Sequence, residues 1–394
     1  MNARNNHSIC AMCGVCLILT ALAPRVFAQY AIYTNKTGWF DPDGSRNARF
    51  SVVEAAACAA GDGGVVYIGA GTYREAMTID WPVTLRAEGG MVTLGTTLPA
   101  PSSLRVISYN THLFGDAVPS ENCADDERAT YFATHAGYQN WTEQTDVLAL
   151  QEVWDNDYEA EISGDSGYYD KFYGKNKNGA TQHSGLLMLT RQQMYNKVQT
   201  SYSDKEGWDW FANKGFLQAT IYKDGYYIGI FNTHTQADEY VETRRKQMLQ
   251  LANAVKTYRA NNPTHPVIVL GDFNVIGESG EYHGNMSDTM GGTGATRDGM
   301  INYFCTDDLY ACTSCADNEF RQHFDSDTDE FWRLDYALYA PSEDGRVELI
   351  PTGYSVEKWK VPDGEPDVEC GDTVTDEISD HFGVLMEFDI HSVF

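Results

Sequence analysis

Apolar runs that end in polar residues recur along the chain from about residue 104 onward. Segments of helical or loop character separate eight such runs, each short enough to be a strand. They are LRVISYN, DVLALQE, GLLMLT, FLQATIY, YIGIFNTH, PVIVLGDFN, RLDYALY and FGVLMEF. Because nearly continuous apolar runs imply burial on both faces of a strand, the pattern predicts layered α/β packing over residues 99–394.

Residues 29–98 have a different texture. An Ala-rich stretch at residues 51–60 predicts a helix, and the runs VVYIG, MTID, VTLRA and MVTLG, separated by Gly and Pro, predict short strands. The Gly-x-Tyr turn and the strands after it resemble the opening coils of right-handed parallel β-helix proteins of the pectate-lyase type. Since only about two or three coils would fit, we expect a small β-helix-like module that needs a cap or a packing partner. A spacer role and a surface- or glycan-binding role are both open for it.

The first 28 residues have the pattern of a secretory signal peptide. Arg4 precedes an apolar run at about residues 9–23, and the small residues Val26 and Ala28 follow it, which predicts cleavage after about Ala28. A single anchoring helix is the alternative, but the run is shorter than the roughly 20 residues that span a bilayer. We therefore expect a soluble, exported protein.

Cleavage there would leave an even number of cysteines in an oxidising compartment, which permits disulfides. They are Cys58, Cys123, Cys305, Cys312, Cys315 and Cys370. Their pairing does not follow from the sequence. Cys312 and Cys315 also have the spacing of a zinc-binding pair, but no second pair with metal-site spacing follows, so zinc is the weaker interpretation.

Polar side chains stand at the same end of six predicted strands. They are Asn110, Glu152, His234, Asp272, Asn274, Asp335, Asp380 and His381. One strand-terminal Asp or Asn is most often a turn former, but this many from different strands predict a shared rim where loops form a site.

The residue types at this rim suit phosphodiester hydrolysis. Mg²⁺ prefers oxygen ligands and takes one or two carboxylates, leaving positions for water and substrate phosphate, which Glu152 and the Asn110 amide would satisfy. The reaction also needs a base for the attacking water, a partner for the leaving alkoxide and donors to the phosphate oxygens. Two histidines and the Asp272/Asn274 pair are suited to these tasks.

Five ordered motifs, SYN, LQEVW, NTH, GDFN and SDH, resemble the endonuclease/exonuclease/phosphatase superfamily between Leu104 and about Phe388. This resemblance implies the DNase I-like fold, a four-layer α/β/β/α sandwich of two mixed sheets with helices outside. The segment DWFANKGF followed by FNTHTQADE is similar to bacterial neutral sphingomyelinases. That branch, also called sphingomyelin phosphodiesterase or sphingomyelinase C, implies hydrolysis of sphingomyelin to ceramide and phosphocholine.

The resemblance also implies a metal centre. It assigns Glu152 and Asn110 to the metal, with Asp380 supporting the metal shell, while Asp272 and Asn274 would orient the nucleophilic water and contact phosphate. The implied ion is Mg²⁺, with Mn²⁺ or Co²⁺ as substitutes, and a second metal is open because two-metal sites perform the same displacement.

The same resemblance implies the proton-transfer groups. His381 would be the general base, aligned by Asp335. His234 would stabilise or protonate the leaving oxygen, and Lys214 would offer positive charge on the substrate side. The remaining histidines match no motif and are interpreted as surface or core residues, namely His112, His183, His265, His283, His323 and His391.

The formal net charge of -28 bears on the partner. Nucleic-acid binding relies on Lys and Arg at the phosphate backbone, whereas a zwitterionic lipid meets no electrostatic penalty. Charge thus favours the lipid substrate that the resemblance implies over a nucleic acid. We expect a monomer that acts on sphingomyelin at a membrane surface. Trp359 lies in the interval where secreted toxins of this branch carry a membrane-inserting hairpin, but charged residues flank it, so hydrolysis is better supported than membrane lysis. An extracellular nuclease is the first alternative, and a catalytically inactive adhesion protein is the second.

Overall fold

A computed structural model describes most of the chain in twelve stretches. They are residues 31–34, 50, 53–73, 79, 81–95, 102–115, 118, 120–175, 183–207, 212–303, 311–324 and 330–392. The predicted signal peptide, residues 1–28, and most of the polar stretch before the main domain lie outside these ranges. The chain divides into two compact units, residues 1–97 with 301–311, and residues 98–300 with 312–394.

The described part of the first unit contains a parallel three-stranded sheet and a helix. In chain order its elements are β1 (Ala31–Thr34), α1 (Val53–Ala60), β2 (Val65–Tyr73) and β3 (Thr84–Leu94). The strands lie in the order β1-β2-β3 and are all parallel, and the β-helix-like module stays a prediction. The runs VTLRA and MVTLG form one strand, β3, instead of two, and MTID lies outside the described residues except for Ile79.

The second unit contains the other strands. In chain order they are β4 (Ser102–Leu113), β5 (Val147–Val153), β6 (Asp170–Tyr173), β7 (Leu187–Thr190), β8 (Met194–Ser201), β9 (Gly215–Lys223), β10 (Tyr226–His234), β11 (Val267–Asp272), β12 (Arg297–Asp298), β13 (Ser314–Cys315), β14 (Phe331–Trp332), β15 (Asp335–Ala340), β16 (Val347–Glu357), β17 (Val368–Cys370), β18 (Thr373–Thr375) and β19 (Gly383–Ser392). The eight predicted strands are confirmed as β4, β5, β7, β9, β10, β11, β15 and β19.

Two six-stranded mixed sheets form the centre of this unit. The first has the order β16-β19-β4-β5-β7-β6 and the second has the order β12-β15-β11-β10-β9-β8. Their helices are α2 (Asp125–Trp141), α3 (Asn156–Asp165), α4 (Val241–Asn261), a π-helical segment (Tyr282–Thr293), α5 (Gly299–Tyr303, which crosses the boundary between the units) and α6 (Glu319–Phe324).

The helices cover the outer faces of the two sheets. Phe132 of α2 and Ile162 of α3 belong to one buried cluster with Leu148 of β5, in the first sheet. Tyr258 of α4 packs edge-on against Phe231 of β10, in the second sheet, with ring centroids 5.8 Å apart. The order helix, sheet, sheet, helix is that of the predicted four-layer α/β/β/α sandwich.

A buried hydrogen-bond network joins the facing sheets. The Gln151 amide donates to Asn232 Oδ1 over 2.8 Å, and the Asn232 amide donates to the carbonyl oxygens of Leu150 and Leu187 over 3.0 and 3.1 Å. Since buried polar groups are costly unless paired, these bonds favour one alignment of the sheets. They lie one residue from Glu152 and two residues from His234, so they fix the two strand ends that carry those side chains.

Of the six cysteines whose pairing was open, the five in the described ranges are disulfide-bonded, and Cys305 lies outside those ranges. Cys123 pairs with Cys370, and Cys312 pairs with Cys315. Cys58 is also disulfide-bonded. Because disulfide sulfurs are not thiolates, the zinc interpretation of Cys312 and Cys315 has no support here.

Trp359 is not a membrane-facing residue. It is 5% exposed and packs on Tyr109, with ring centroids 4.7 Å apart, and on Phe132. None of the helices in the described ranges is long and apolar enough to cross a lipid bilayer.

Candidate active site

Strand register brings the polar strand ends into one row. In the second sheet His234 of β10 lies beside Asp272 of β11, and Asp272 lies opposite Asp335 of β15. Gly271 makes the close approach possible, because a Cβ there would lie 2.2 Å from the Thr233 carbonyl oxygen. Three candidate side chains therefore occupy adjacent positions across three strands.

The first sheet faces this row with its own strand ends. Asn110 of β4 pairs with Gln151 of β5, which places Glu152 beside it. The Asn110 amide donates to Asp272 Oδ2 over 3.0 Å, and Glu152 Oε1 lies 3.7 Å from His234 Nε2. His381, just before β19, has its Nε2 4.0 Å from Asp272 Oδ2. The two sheets thus deliver their polar ends to one site.

His381 and Asp335 form a buried acid–imidazole pair. Asp335 Oδ2 lies 2.7 Å from His381 Nδ1. Burial lowers the pKa of His381, but the fields of Asp335 and then Asp380 outweigh it and raise that pKa well above its ordinary value. With Nδ1 fixed by a carboxylate, Nε2 is the nitrogen arranged to exchange a proton with a bound molecule.

Asp272 is buried and is held from two sides. Its Oδ1 accepts the Asn274 N–H over 2.8 Å, and its Oδ2 accepts the Asn110 amide. Burial, and then the neighbouring Asp335, raise the pKa of Asp272 to about 7. Asn274 has φ of 48°, a left-handed conformation that Asn tolerates better than most residues.

His234 lies between a cation and an amide. Its Nε2 lies 3.2 Å from Lys214 Nζ and 3.1 Å from Asn274 Nδ2, and both of these groups are donors. Burial, then Lys214 and then His381, lower the pKa of His234 well below its ordinary value. The lowered pKa and the two donors at Nε2 favour a neutral ring that accepts at Nε2 and carries its proton on Nδ1. A neutral ring that accepts at Nε2 is poorly arranged to give a proton away there.

His112, which the sequence motifs left aside, belongs to this site. Its Nδ1 lies 3.2 Å from Asp380 Oδ2 and 3.9 Å from Glu152 Oε2. Burial opposes its charged form, but Asp380 raises the pKa of His112 above its ordinary value. The available signal was its position two residues after Asn110, at the same strand end.

A divalent cation fits the acidic side of the cluster. The Glu152 carboxylate is 14% exposed, and burial raises its pKa despite the opposing field of His112. Among the described residues it accepts no hydrogen bond, although most buried carboxylates do. A carboxylate oxygen without a hydrogen bond is the donor chemistry that Mg²⁺ prefers. The Asn110 side-chain oxygen, which accepts the His112 N–H over 3.1 Å, is the amide oxygen of the neighbouring strand end.

A second set of possible ligands overlaps the first. Ligand atoms of Asp272, Asp335 and His381 all lie within 4.8 Å of one another. Asp335 and His381 already bond to each other over 2.7 Å, whereas the Glu152 carboxylate accepts no hydrogen bond within the described part of the chain. Either side of the site could therefore hold a cation, and the Glu152 side has the carboxylate without a hydrogen bond.

Arg128 binds the backbone of segments that carry site residues. Its fully buried guanidinium donates to the carbonyl oxygens of Thr111, His112 and Ile378 and pairs with Asp125. One cation thereby ties the end of β4 to the segment that leads into Asp380 and His381.

Replacing Arg128 by leucine should lower the free energy of unfolding by about 3–5 kcal/mol, because it leaves Asp125 charged and unpaired in the interior. Urea unfolding measures the loss. Arg245→Leu is the matched control: this side chain is 36% exposed and pairs with Glu242 on the same helix, so the expected loss is below about 0.5 kcal/mol. Equal losses for the two variants would contradict the supporting role of Arg128.

Comparison with known proteins gives one family. The model of the Endonuclease/Exonuclease/phosphatase family matches residues 107–381, which confirms the resemblance drawn from the five motifs. Sphingomyelinase C 2 of Leptospira interrogans is 26% identical over 208 residues, covering 47% of this chain and 32% of that protein. The chain spans between 32% and 63% of the length of the sphingomyelinases C and phospholipases C that it matches.

Solved structures share the fold. A mutant beta toxin of Staphylococcus aureus with bound magnesium ions has a TM-score of 0.56 and 20% identity, and the match covers 72% of this chain and 99% of that one. TDP2 of D. rerio, complexed with a single-stranded DNA product, has a TM-score of 0.54 and 15% identity, with 73% and 99% covered. At these identities the likeness establishes the DNase I-like sandwich alone.

Proposed function

Because this chain belongs to the endonuclease/exonuclease/phosphatase family, whose model matches residues 107–381, we propose that it is a Mg²⁺-dependent phosphodiesterase of the sphingomyelinase C type. The observation that carries the proposal is the 2.7 Å bond between His381 and Asp335, in a site that also contains Asp272, Glu152 and the Lys214–His234 pair. This site combines a base, a cation-binding carboxylate and a positive charge, which are the groups that phosphodiester hydrolysis requires.

His381 acts as the general base. Its Nε2 takes a proton from the attacking water, while Asp335 holds Nδ1 and stabilises the imidazolium that forms. Asp272 and Asn274, joined by a 2.8 Å hydrogen bond, orient the water and contact the phosphate. Water attacks phosphorus, the bond from phosphorus to the leaving oxygen breaks, and phosphocholine is released. The ceramide oxygen leaves as an alkoxide and takes a proton from solvent, and His381 returns the proton of the attacking water to solvent.

Glu152 and Asn110 would hold the metal, with Asp380 supporting that shell through His112. When bound, Mg²⁺ would polarise the phosphoryl oxygen and neutralise developing negative charge, and Mn²⁺ or Co²⁺ would serve the same purpose. Whether one or two ions bind is a matter for metal titration.

The leaving oxygen is stabilised mainly by Lys214. Its Nζ lies 3.2 Å from His234 Nε2 and 3.0 Å from the Thr235 carbonyl oxygen, which hold the ammonium in place. Since burial and Lys214 keep His234 neutral, we assign His234 to positioning and charge stabilisation, and not to protonation of the leaving group.

The substrate proposal rests on the sphingomyelinase relatives and on charge. A formal net charge of -28 disfavours approach of a nucleic acid, whereas a zwitterionic choline lipid carries no net charge. The protein would act as a monomer at a membrane surface. Export is supported by the disulfides Cys123–Cys370 and Cys312–Cys315, which persist in oxidising compartments.

Parallel assays test this function. The purified protein is incubated with Mg²⁺ and either sphingomyelin in vesicles, other choline lipids or plasmid DNA, each with and without EDTA. We expect EDTA-sensitive release of phosphocholine from sphingomyelin. Nicking of DNA without release of phosphocholine would replace the lipid substrate by a nucleic acid, and activity on neither would overturn the proposal.

Asp335→Asn should change the pH dependence of hydrolysis. His381 must be unprotonated to act as a base, so activity falls as the pH drops through its pKa. Burial lowers that pKa and Asp335 raises it, so removing the Asp335 charge moves the acidic limb of kcat/KM to lower pH. The maximal rate should fall about 100-fold, since the imidazole loses its orientation. The measurement is kcat/KM against pH at saturating Mg²⁺, and a limb that stays in place or moves to higher pH would contradict the assignment.

A further inference from the structure

A short loop next to the acid–imidazole pair is closed by a disulfide. Cys312 and Cys315 are bonded to each other, with Cα atoms 5.7 Å apart, and the loop encloses Thr313 and Ser314. Both cysteines are buried and form an apolar cluster with Phe382, the residue after His381. Thr313 itself is fully buried. None of the candidate metal ligands or proton-transfer residues lies in this loop.

Thr313 binds the segment that carries Asp335. Its N–H donates to the Trp332 carbonyl oxygen over 2.8 Å. Its hydroxyl oxygen accepts the N–H groups of Leu334 over 3.0 Å and of Asp335 over 3.2 Å. The backbone at the start of β15 is therefore held by this one side chain at two consecutive residues.

Thr313 also binds the segment that carries His381. Its carbonyl oxygen accepts the Phe382 N–H over 2.6 Å. The same residue thus connects to both members of the acid–imidazole pair, which are 46 positions apart in the sequence. Thr313 therefore bridges the segment that carries Asp335 and the segment that carries His381.

The Asp335 carboxylate depends on this backbone support. Its Oδ2 bonds to His381, while its buried Oδ1 has no hydrogen-bond partner among the described residues. Buried carboxylates in proteins are usually held by further donors, and here the position of the carboxylate follows from its backbone. A small backbone displacement would lengthen the bond to His381.

We propose that Thr313, held in the loop closed by the Cys312–Cys315 disulfide, is a positioning residue that sets the distance between Asp335 and His381. The proposal rests on the proposed function for its kinetic consequence, but its geometric claim concerns only the bond between the two side chains. Thr313 does not touch the substrate, so its loss lowers kcat and leaves KM unchanged.

Thr313→Val keeps the shape of the side chain and removes the oxygen that accepts two N–H groups. We expect kcat to fall about 10- to 100-fold, the range for a displacement of the order of 1 Å at a catalytic group. Thr313→Ser keeps the hydroxyl and should restore kcat to within about threefold of the wild type. A Thr313→Val variant whose kcat stays within about threefold of the wild type would overturn the proposal.

Thr145→Val is the matched control. Thr145 is also fully buried, and its hydroxyl donates to Gln139 Oε1 over 2.8 Å at the start of β5, the end of that strand away from Glu152. It loses a buried hydrogen bond without touching either segment of the pair. Its kcat should remain near the wild-type value, and a loss equal to that of Thr313→Val would identify a general packing effect and overturn the proposal.

A readout without substrate separates this proposal from the proposed function. We expect the proton between His381 Nδ1 and Asp335 Oδ2, which are 2.7 Å apart, to give a strongly downfield proton NMR resonance that disappears in His381→Ala. The resonance should be shifted or broadened in Thr313→Val and retained in Thr313→Ser and Thr145→Val. If the wild type hydrolyses none of the substrates, the proposed function fails while this comparison still tests the geometry.

The double variant Cys312→Ala/Cys315→Ala provides a second route if Thr313→Val does not fold. Without the disulfide, the loop loses its closure, and we expect the same loss of resonance and a lowered kcat at unchanged KM. A double variant with the wild-type resonance and kcat would overturn the role of the disulfide.

Discussion

Replacing His381 by alanine is expected to lower kcat/KM for phosphodiester hydrolysis by on the order of 10⁴-fold. Asp335 holds Nδ1 at 2.7 Å and leaves Nε2 to take the proton of the attacking water. No other imidazole in the described residues has its Nδ1 paired with a carboxylate at that distance, and neutral His234 already accepts at Nε2. The residual rate would come from metal and phosphate contacts that His381 does not make.

The measurement is release of phosphocholine, or of whichever product the wild type forms, together with the melting temperature of each variant. His391→Ala is the matched control, because His391 is also buried and lies 3.8 Å from a carboxylate, Asp389, near the other end of β19. Its rate should stay close to that of the wild type. A His381→Ala protein with undiminished activity would remove His381 from the mechanism.

Replacing Glu152 by glutamine should have the second largest effect. The change keeps the shape of the side chain and removes the charge of the one carboxylate we assign to the cation. Residues that merely support metal ligands contribute about 10- to 100-fold to metal affinity or activity, so a ligand itself should exceed about 100-fold. We expect the Mg²⁺ concentration for half-maximal activity to rise by at least that factor.

Two measurements on Glu152→Gln separate metal binding from catalysis. Activity is titrated against Mg²⁺, and Mg²⁺ or Mn²⁺ binding is measured by calorimetry in the absence of substrate. Glu143→Gln serves as control, because Glu143 pairs with Arg105 beyond the C-terminal end of α2, away from the candidate site. If Glu152→Gln kept the Mg²⁺ requirement of the wild type, the cation would have to be reassigned to Asp272 and its neighbours.

The sequence predicts the central strands of the fold because strands buried on both faces consist of nearly continuous apolar runs. Strands such as β5 and β11 are almost entirely apolar and buried on both faces. The edge strand β8 was not predicted, since most of its residues are exposed or partly exposed and carry no apolar run. The sequence also does not show which distant segments pair. Cys123 and Cys370, for example, form a disulfide although they are 247 positions apart.

The sequence predicted those residues of the candidate site that belong to motifs at strand ends. Asn110, Glu152, Asp272 and His381 lie at or near the ends of buried strands, so register within each sheet and the packing of the two sheets bring them together. The residues that support them were missed, because their roles depend on contacts that no local pattern records. Arg128 lies in the first turn of a helix, Thr313 lies in a loop, and His112 has a left-handed backbone with φ of 50°.

Trp359 could not be placed from the sequence. Its interval between motifs suggested a membrane contact and its charged flanks argued against one, and its ring lies against Tyr109 and Phe132 in the core. Position between motifs does not determine which way a side chain faces. Burial depends on the packing of α2 against the first sheet, which the flanking charged residues do not reveal.

The most direct test is anomalous diffraction from crystals soaked in Mn²⁺. Two sheets that converge on one cation-dependent centre predict an anomalous peak in contact with the Glu152 carboxylate, between His112 and His234. Absence of any peak at this site in a protein that hydrolyses its substrate, or a peak bound only by residues elsewhere in the chain, would contradict a shared metal centre.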